Sequence, residues 1–307
     1  RTSVRAVIMD HDDARTDVIL AAAASLFGGA VRGFVVQLPG HPRAGLVAVV
    51  LDLAWILILT VLVPVLLARH RGDRAAAFGL GRGPRQWSTR RSGLFAGGAL
   101  AVVVIGAGWL LTPSVWPLGR LTGPLAAGDL VGAGLAGAQV AALTAGAFGL
   151  VAFLAMRGQQ FSRSPQVLLR GTLRTIGMAS AGVALLGGLL RAVTGRSVLA
   201  PIVLVITLVV VVLLTDRLLD AHTHVHRSAV LAPATVVAVG HLFATGGLLR
   251  GDLVTALYAG GLAVGVAVVV ASLTLGRRLV HAGIVLLVAV HWIPSCLSPL
   301  TVEIGAC

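Results

Sequence analysis

The sequence predicts an all-α protein, a polytopic bundle of about nine transmembrane helices with the N-terminus inside and the C-terminus outside. Composition and the arrangement of apolar runs and arginines support this prediction. Of 307 residues, 57% are hydrophobic and 11% are charged, and the mean hydropathy is +0.96. Soluble domains carry about 25% charged residues. So few charges cannot cover the surface of a soluble globule, which excludes an ordinary cytosolic enzyme.

Apolar runs long enough to cross a bilayer, about 20 residues each, recur along the whole chain. They cover residues 18–37, 46–68, 93–112, 126–156, 173–194, 198–216, 229–249, 253–276 and 279–297. The fourth run is too long for one straight crossing, so we expect it to tilt or to extend beyond the bilayer. No connection is long enough for a soluble domain, so residues 1–307 are predicted to form a single membrane domain.

The arginines give an independent test of the span count and orientation. All 24 basic residues are arginines. With the N-terminus inside, 18 of them fall in inside segments, five in outside segments and Arg32 in a span. Cytoplasmic loops carry such an excess of positive charge. The predicted cytoplasmic loops are 69–92, 157–172 and 217–228. A membrane protein that uses arginine and no lysine is typical of a GC-rich bacterium, so we expect this protein in the inner membrane of such a cell.

The net charge of +13 is explained by the arginines in the cytoplasmic loops of a membrane protein. No RNP-like, zinc-finger or helix-turn-helix pattern accompanies the charge, so nucleic acid is not an expected partner. The longest loop, 69–92, holds seven arginines and Trp87, and we expect it to contact anionic lipid headgroups. Docking of this loop onto a membrane or cytoplasmic partner subunit is the alternative.

Two charged residues lie inside predicted spans at matching depths. Arg32 is five residues from the outer end of the first span, and Asp52 is six residues past the outer start of the second. Each therefore lies about 8–9 Å deep. Since a charge in lipid is normally paired or faces water, we predict a structural ion pair joining these two helices. An ion or substrate pathway is the alternative.

His241 and His291 form a second depth-matched pair. Each is 12 residues into its span from the inside, about 18 Å from the cytoplasmic edge. Two midplane histidines can hold a metal ion or a proton, or can hydrogen-bond neighbouring helices. Both interpretations remain open, and the two residues are candidate catalytic groups.

The most polar stretch between helices runs from Asp216 to Arg227. It contains the spacing Asp-x-His-x-His at Asp220, His222 and His224, with His226 two residues further on. Soluble metal hydrolases place this spacing at a strand end, but here it lies in a short cytoplasmic loop. The three histidines are weak candidates for a surface metal site. The alternative is a solvated loop at the lipid headgroups.

Other catalytic and cofactor motifs are missing. The chain has no Lys and therefore no phosphate-binding Gly-Lys loop, and Glu303 is its only glutamate, which excludes His-Glu-x-x-His. No cofactor is expected.

The only cysteines, Cys296 and Cys307, are both predicted on the outer, oxidising side. The ten residues between them allow the tail to fold back, so we predict a disulfide, with two unrelated free thiols as the alternative.

The order of features in two regions resembles the CPBP family, the bacterial CAAX-protease-like intramembrane proteases. Ala77-Phe-Gly-Leu-Gly-Arg-Gly-Pro-Arg-Gln-Trp87, followed by Gly93-Leu-Phe-Ala-Gly-Gly, is similar to the loop and glycine-rich helix of that family. Val237-Ala-Val-Gly-His241 stands where the family has Phe-x-x-x-His, and His291-Trp-Ile-Pro-Ser295 where it has His-x-x-x-Asn. Gly260-Gly-Leu-Ala-Val-Gly265 resembles the glycine helix between them. The resemblance covers about half of the chain.

The chain departs from the family at its defining motif, Glu-Glu-x-x-x-Arg. The corresponding stretch is Thr215-Asp216-Arg-Leu-Leu-Asp220, in which both glutamates and the arginine are replaced. Asp216 is a candidate for the missing acid, but it falls roughly 18 Å in depth from the two histidines. A general base must come within about 3 Å of its water. The resemblance therefore implies a relative that does not hydrolyse its ligand.

Two functions from different classes follow. The first is a non-catalytic CPBP-like membrane protein that binds a peptide, a lipid or a partner subunit. The second is a transporter or permease component with Arg32, Asp52, His241 and His291 along a pathway, although no inverted repeat is evident. An active intramembrane protease is a third interpretation.

Overall fold

The computed structural model describes residues 13–24, 26–27, 54, 57–70, 86–111, 128–161, 163–193, 197–244, 253–276 and 279–292. Helices hold 89% of these residues. We number them α1 (13–24), α2 (a π-helix over Leu57–Leu62 that continues as an α-helix over Val63–His70), α3 (Gln86–Leu111), α4 (Leu130–Gln159), α5 (Leu169–Val193), α6 (Leu199–Leu218), α7 (Arg227–Ala244), α8 (Leu253–Leu275) and α9 (Val280–Trp292). Two short strands are β1 (Gln166–Leu168) and β2 (His224–His226).

Five helices in the described part of the chain are long and apolar enough to cross a membrane. They are Arg90–Leu111, Leu130–Gln159, Leu169–Val193, Leu199–Leu218 and Leu253–Leu275. Each overlaps a predicted span, and α4 has the predicted excess length, about 45 Å at 1.5 Å per residue. Two further apolar helices, Arg227–Leu242 and Val280–His291, are shorter. The protein is thus a membrane-embedded helical bundle, and nine crossings with their orientation remain a prediction.

The centre of the bundle is α8, which packs against α4, α5, α6, α7 and α9. Most of the surface of α8 is buried. On the face towards α5, small residues allow the backbones of the two helices to approach closely. A Cβ added at Gly261 would lie 2.7 Å from the backbone nitrogen of Ala184 and 2.8 Å from the carbonyl oxygen of Ser180. Small residues permit such contacts between membrane helices. This seam, together with α3, α6, α7, α9 and part of α4, forms the main hydrophobic core.

The close contacts also fix the register of the helices along α8. A Cβ at Gly265 would lie 2.5 Å from Leu208 Cδ2, and one at Gly276 would lie 3.0 Å from Leu219 Cδ2. The residue numbers in both contacts differ by 57, so α6 and α8 run parallel without slipping. Helix α5 is antiparallel to both. Gly187 and Ala184 of α5 meet Tyr258 and Gly261 of α8, in reverse order. Gly188 and Gly177 meet Pro201 and Val212 of α6, again in reverse order.

A short antiparallel ladder joins two predicted cytoplasmic loops. Gln166 pairs with His226, Val167 with Val225, and Leu168 with His224. The ladder was not predicted, but it adds only six strand residues to a chain whose described part is 89% helical, so the all-α fold class stands. Each strand has only three residues, too short for an alternating sequence pattern, and the ladder forms because the two loops meet at one end of the bundle. Loops 157–172 and 217–228 therefore lie on the same side of the bundle. We call the end of the bundle that contains the β1–β2 ladder the hairpin end.

The N-terminal helices lie against the outside of this core. A second cluster of buried apolar residues connects α1 and α2 to α4 and α7. Its buried members are Ala21, Ala68, Leu150, Phe153, Leu154 and Val236. The predicted Arg32–Asp52 ion pair, the predicted Cys296–Cys307 disulfide and residues 71–85 of the predicted lipid-binding loop lie outside the described residues.

Candidate functional site

His291 lies in the interior of the bundle, where it contacts α4. It is fully buried near the end of α9, and its Nδ1 is 3.1 Å from Thr144 Oγ1, which is also buried. A histidine between two helices in an apolar layer forms hydrogen bonds with polar groups for which lipid offers no hydrogen-bond partner. The arrangement joins α4 to α9 and can also hold or pass a proton.

His241 is half-buried on α7 and faces α8. Its Nδ1 is 3.2 Å from the carbonyl oxygen of Val237 one turn earlier, and its Cβ is 3.8 Å from the position that a Cβ at Gly260 would occupy. Helices α4 and α7 touch where Gly158 meets Ser228 and Ala229. His241 lies 12 residues beyond Ala229 on α7. Because the two helices are antiparallel, it lies level with the residue 12 positions before Gly158 on α4, which is residue 146.

The two histidines are therefore close in depth. His291 contacts Thr144, and His241 is level with a residue two positions further along α4. Two residues of helix correspond to about 3 Å. The neighbouring helices α7 and α9 both pack on α4 and α8. The geometry places the pair in one layer and is compatible with either a structural or a proton-handling role.

Asp216 lies in a different layer, near the C-terminal end of α6. It is 1% exposed, and its Oδ2 accepts a hydrogen bond of 2.5 Å from Arg174 Nη2 on α5. Contacting residues of α6 and α8 differ by 57 in number, so Asp216 lies level with Leu273 of α8. His241, by contrast, lies level with Gly260 of α8. Thirteen residues of helix correspond to about 20 Å. The structure therefore does not bring Asp216 together with the histidines.

The loop histidines are ordered by backbone contacts rather than by one another. Asp220 Oδ1 accepts from the His222 backbone N–H at 3.1 Å, and His224 Nδ1 lies 2.9 Å from the His222 carbonyl oxygen. His226 Nδ1 lies 2.7 Å from the carbonyl oxygen of Ser164 in the other loop. Within the described ranges, no group of three or more His, Cys, Asp or Glu side chains is arranged to hold a metal ion.

A groove of about 290 Å³ opens at the hairpin end, between the first turns of α5 and α7. Its walls are mostly apolar, and Arg227, which is exposed, lies at one end. The lining residues are Val167, Leu168, Gly171, Thr172, Thr175, Ile176, Arg227 and Leu231. The surrounding surface is basic, since the side chains of Arg163, Arg174 and Arg217 are also exposed there.

One buried ion pair was not predicted from the sequence. Arg157 Nε on α4 lies 3.0 Å from Asp17 Oδ2 on α1, and both side chains are more than nine-tenths buried. Arg157 also lies over the Phe153 ring, 5.3 Å from its centroid. Its place after a long apolar run is typical of a loop arginine, so the sequence carries no signal for this contact.

Comparison with known proteins adds no relative. No protein-family model, no curated protein and no solved structure matches the chain.

Proposed function

We propose that this protein is a non-hydrolytic membrane protein, similar in design to the CPBP family, that binds an anionic phospholipid in the groove between α5 and α7. The observation that carries the binding function is the groove itself. Its apolar walls suit an acyl chain, and Arg227 at its end suits a phosphate. A groove at the end of a membrane bundle opens where lipid headgroups are found.

The absence of hydrolysis follows from the spacing of the polar groups. A protease that used Asp216 as its base would need the carboxylate and a histidine on the same water, within about 3 Å. Asp216 is separated from the His241 layer by about 20 Å along α8, and Arg174 occupies one of its oxygens. The only glutamate, Glu303, lies ten or more residues beyond the last described helix.

The test measures lipid bound to the purified protein by native mass spectrometry, after addition of phosphatidylglycerol or phosphatidylcholine. We expect preferential retention of phosphatidylglycerol. Arg227→Gln should weaken it about fivefold, since one basic residue near an anionic headgroup contributes about 1 kcal/mol. Arg217→Gln is the matched control, because Arg217 is exposed at the same end of the bundle but does not line the groove.

Two outcomes would contradict this proposal. Equal retention of both lipids would show that the anionic headgroup is not recognised. An equal loss in the Arg217→Gln control would assign the effect to the general basic charge of this end rather than to the groove.

A transporter is the second candidate function, favoured by the buried polar contact between His291 and Thr144 in the middle of the bundle. A proton pathway would require such a group in the apolar layer. Proton flux into proteoliposomes, followed with an internal pH-sensitive dye under an imposed potential, tests this candidate. His291→Gln should abolish a flux that uses this layer, and wild-type flux equal to that of empty liposomes would exclude the candidate.

A further inference from the structure

Three buried oxygen atoms near the C-terminal ends of α6 and α8 have no hydrogen-bond partner in the described part of the chain. They are Thr215 Oγ1, Asp216 Oδ1 and Ser272 Oγ. The three residues are at most 1% exposed. Leaving one buried polar group without a partner costs about 1–3 kcal/mol. Three such groups in one region indicate that something absent from a bare polypeptide satisfies them.

The register of α6 and α8 places two of these groups, the hydroxyls of Thr215 and Ser272, at one level, and Asp216 is the next residue after Thr215. Leu208 touches Gly265, and Leu219 touches Gly276 further along the same two helices. Thr215 and Ser272 lie between these two contacts, each exactly seven residues, two helical turns, beyond the first. A step of seven residues returns to the same face of a helix, so both hydroxyl groups face the α6–α8 seam at the same level.

Neighbouring hydroxyl groups on the same helices behave differently. Thr207 Oγ1 donates to the carbonyl oxygen of Val203 at 2.7 Å, and Thr274 Oγ1 donates to that of Val270 at 2.8 Å. Such bonds to the preceding turn are the usual way for a helix to satisfy a buried hydroxyl. Thr215 and Ser272 do not make them, so their oxygens are directed elsewhere.

The cluster combines one open carboxylate oxygen with the ends of two helices, and two arginines, Arg170 and Arg174, lie beside it. Asp216 uses Oδ2 for Arg174 and leaves Oδ1 open, and this ion pair is neutral as a whole. The C-terminal ends of α6 and α8, which carry partial negative charge, meet at this level. Arg170 donates to the carbonyl oxygen of Leu219, beyond the end of α6, and so compensates part of this charge.

We propose that Asp216 Oδ1, Thr215 Oγ1 and Ser272 Oγ form a binding site for a sodium ion at the seam of α5, α6 and α8. All three groups are oxygens, the ligands that hard cations prefer. A single carboxylate that is already shared with an arginine suits a monovalent rather than a divalent ion. The site is independent of the lipid groove and fastens the ends of three helices that otherwise meet through unsatisfied polar groups.

The experiment compares the unfolding temperature of the purified protein in NaCl and in choline chloride at equal ionic strength, so that screening is constant. Direct binding is measured with ²²Na⁺ in a scintillation proximity assay. Sodium should raise the unfolding temperature of the wild type and bind saturably. Ser272→Ala and Thr215→Val, which keep the shape of the core, should each weaken sodium binding at least tenfold.

Thr274→Val is the matched control. Thr274 is buried two residues from Ser272, but its hydroxyl group is satisfied within its own helix. This variant should bind sodium like the wild type. If the unfolding temperature is the same in both salts and no ²²Na⁺ binds, the occupant is water alone and the proposal is overturned. Equal weakening by Thr274→Val would also overturn it.

Discussion

Asp17 and Arg157 form a buried ion pair, Oδ2 to Nε at 3.0 Å, that fastens the first described helix to the hairpin end of α4. Both side chains are more than nine-tenths buried. In that environment each charge depends on the other, because desolvation of an isolated charge costs several kcal/mol. The pair therefore adds to the apolar contacts of Ala21 in holding α1 on the bundle.

Removing one member of this pair should be strongly destabilising. Asp17→Ala leaves Arg157 buried without its carboxylate, and we expect a loss of about 3–5 kcal/mol in the free energy of unfolding. The measurement is reversible unfolding in mixed micelles. Arg15→Ala, on the same helix but exposed, should change stability by less than about 0.5 kcal/mol.

A double-mutant cycle gives the complementary result. Asp17→Ala combined with Arg157→Ala should lose less stability than the sum of the two single losses, because neither charge is then left alone. Additive losses would show that the two residues act independently and that the pair does not fasten α1.

The α5–α8 seam should tolerate no added carbon atom at Gly261. Gly261→Ala brings a Cβ within 2.8 Å of the α5 backbone at Ala184 and Ser180. Backbone cannot move aside as a flexible side chain does, so we expect a loss of about 1–3 kcal/mol. Gly182→Ala on the exposed face of α5 is the control. No described atom lies within 4 Å of its added Cβ, and the higher helix propensity of alanine should leave stability unchanged or slightly raised. Equal stability of the two variants would contradict the close packing.

The sequence was sufficient for features that depend on local composition. The apolar runs predict the five long helices, because a span requires only length and hydropathy. The arginine distribution predicts that loops 157–172 and 217–228 share a side, and their pairing as β1 and β2 agrees with it. Equal span depth also predicts one layer for His241 and His291; counting along α4 puts them about two residues apart in level, and their role stays a prediction.

Contacts between distant helices could not be predicted. Nothing local distinguishes Arg157 from other loop arginines, and its pairing with Asp17 depends on how α1 packs on α4. Added Cβ atoms at Gly134 and Gly137 in the predicted fourth span meet no described atom within 4 Å, so glycine content alone does not show where helices pack closely. Tight contacts lie between α5 and α8, between α4 and α7 at Gly158, and between α3 and α9 at Gly97, since packing depends on which faces meet.

The hydrogen bond between Thr144 and His291 should contribute measurably to the stability of the bundle. Thr144→Val keeps the volume and removes the hydroxyl group from a fully buried histidine. We expect a loss of about 1–3 kcal/mol in the free energy of unfolding, the cost of removing one partner from a buried polar group. Thr175→Val on exposed α5 surface, where the hydroxyl bonds only its own helix, should cost less than half as much. Equal losses would show that the contact with His291 adds nothing.

The ladder between β1 and β2 predicts a specific engineered disulfide. The bonds from Leu169 N to the Thr223 carbonyl oxygen and from Arg227 N to that of Pro165 flank the ladder. They make Leu168 and His224 a pair that exchanges no hydrogen bonds, with Cα atoms about 4.5 Å apart. That separation lies within the range of a disulfide, about 4.4–6.8 Å. Leu168→Cys with His224→Cys should therefore cross-link under mild oxidation. Val167→Cys with His224→Cys is the control and should not, because neighbouring strand positions point to opposite faces.

The same cysteine position can test whether α5 crosses the membrane. Leu168 lies just before α5, and Val198 just after its far end, both exposed. The 25 residues of α5 extend about 37 Å, more than the hydrocarbon thickness. In intact cells, a membrane-impermeant thiol reagent should label Val198→Cys, measured in a background without the native cysteines. It should label Leu168→Cys only after permeabilisation, because the arginine excess places the hairpin end inside. Labelling of both from one side would contradict the crossing, and the reverse order would invert the orientation.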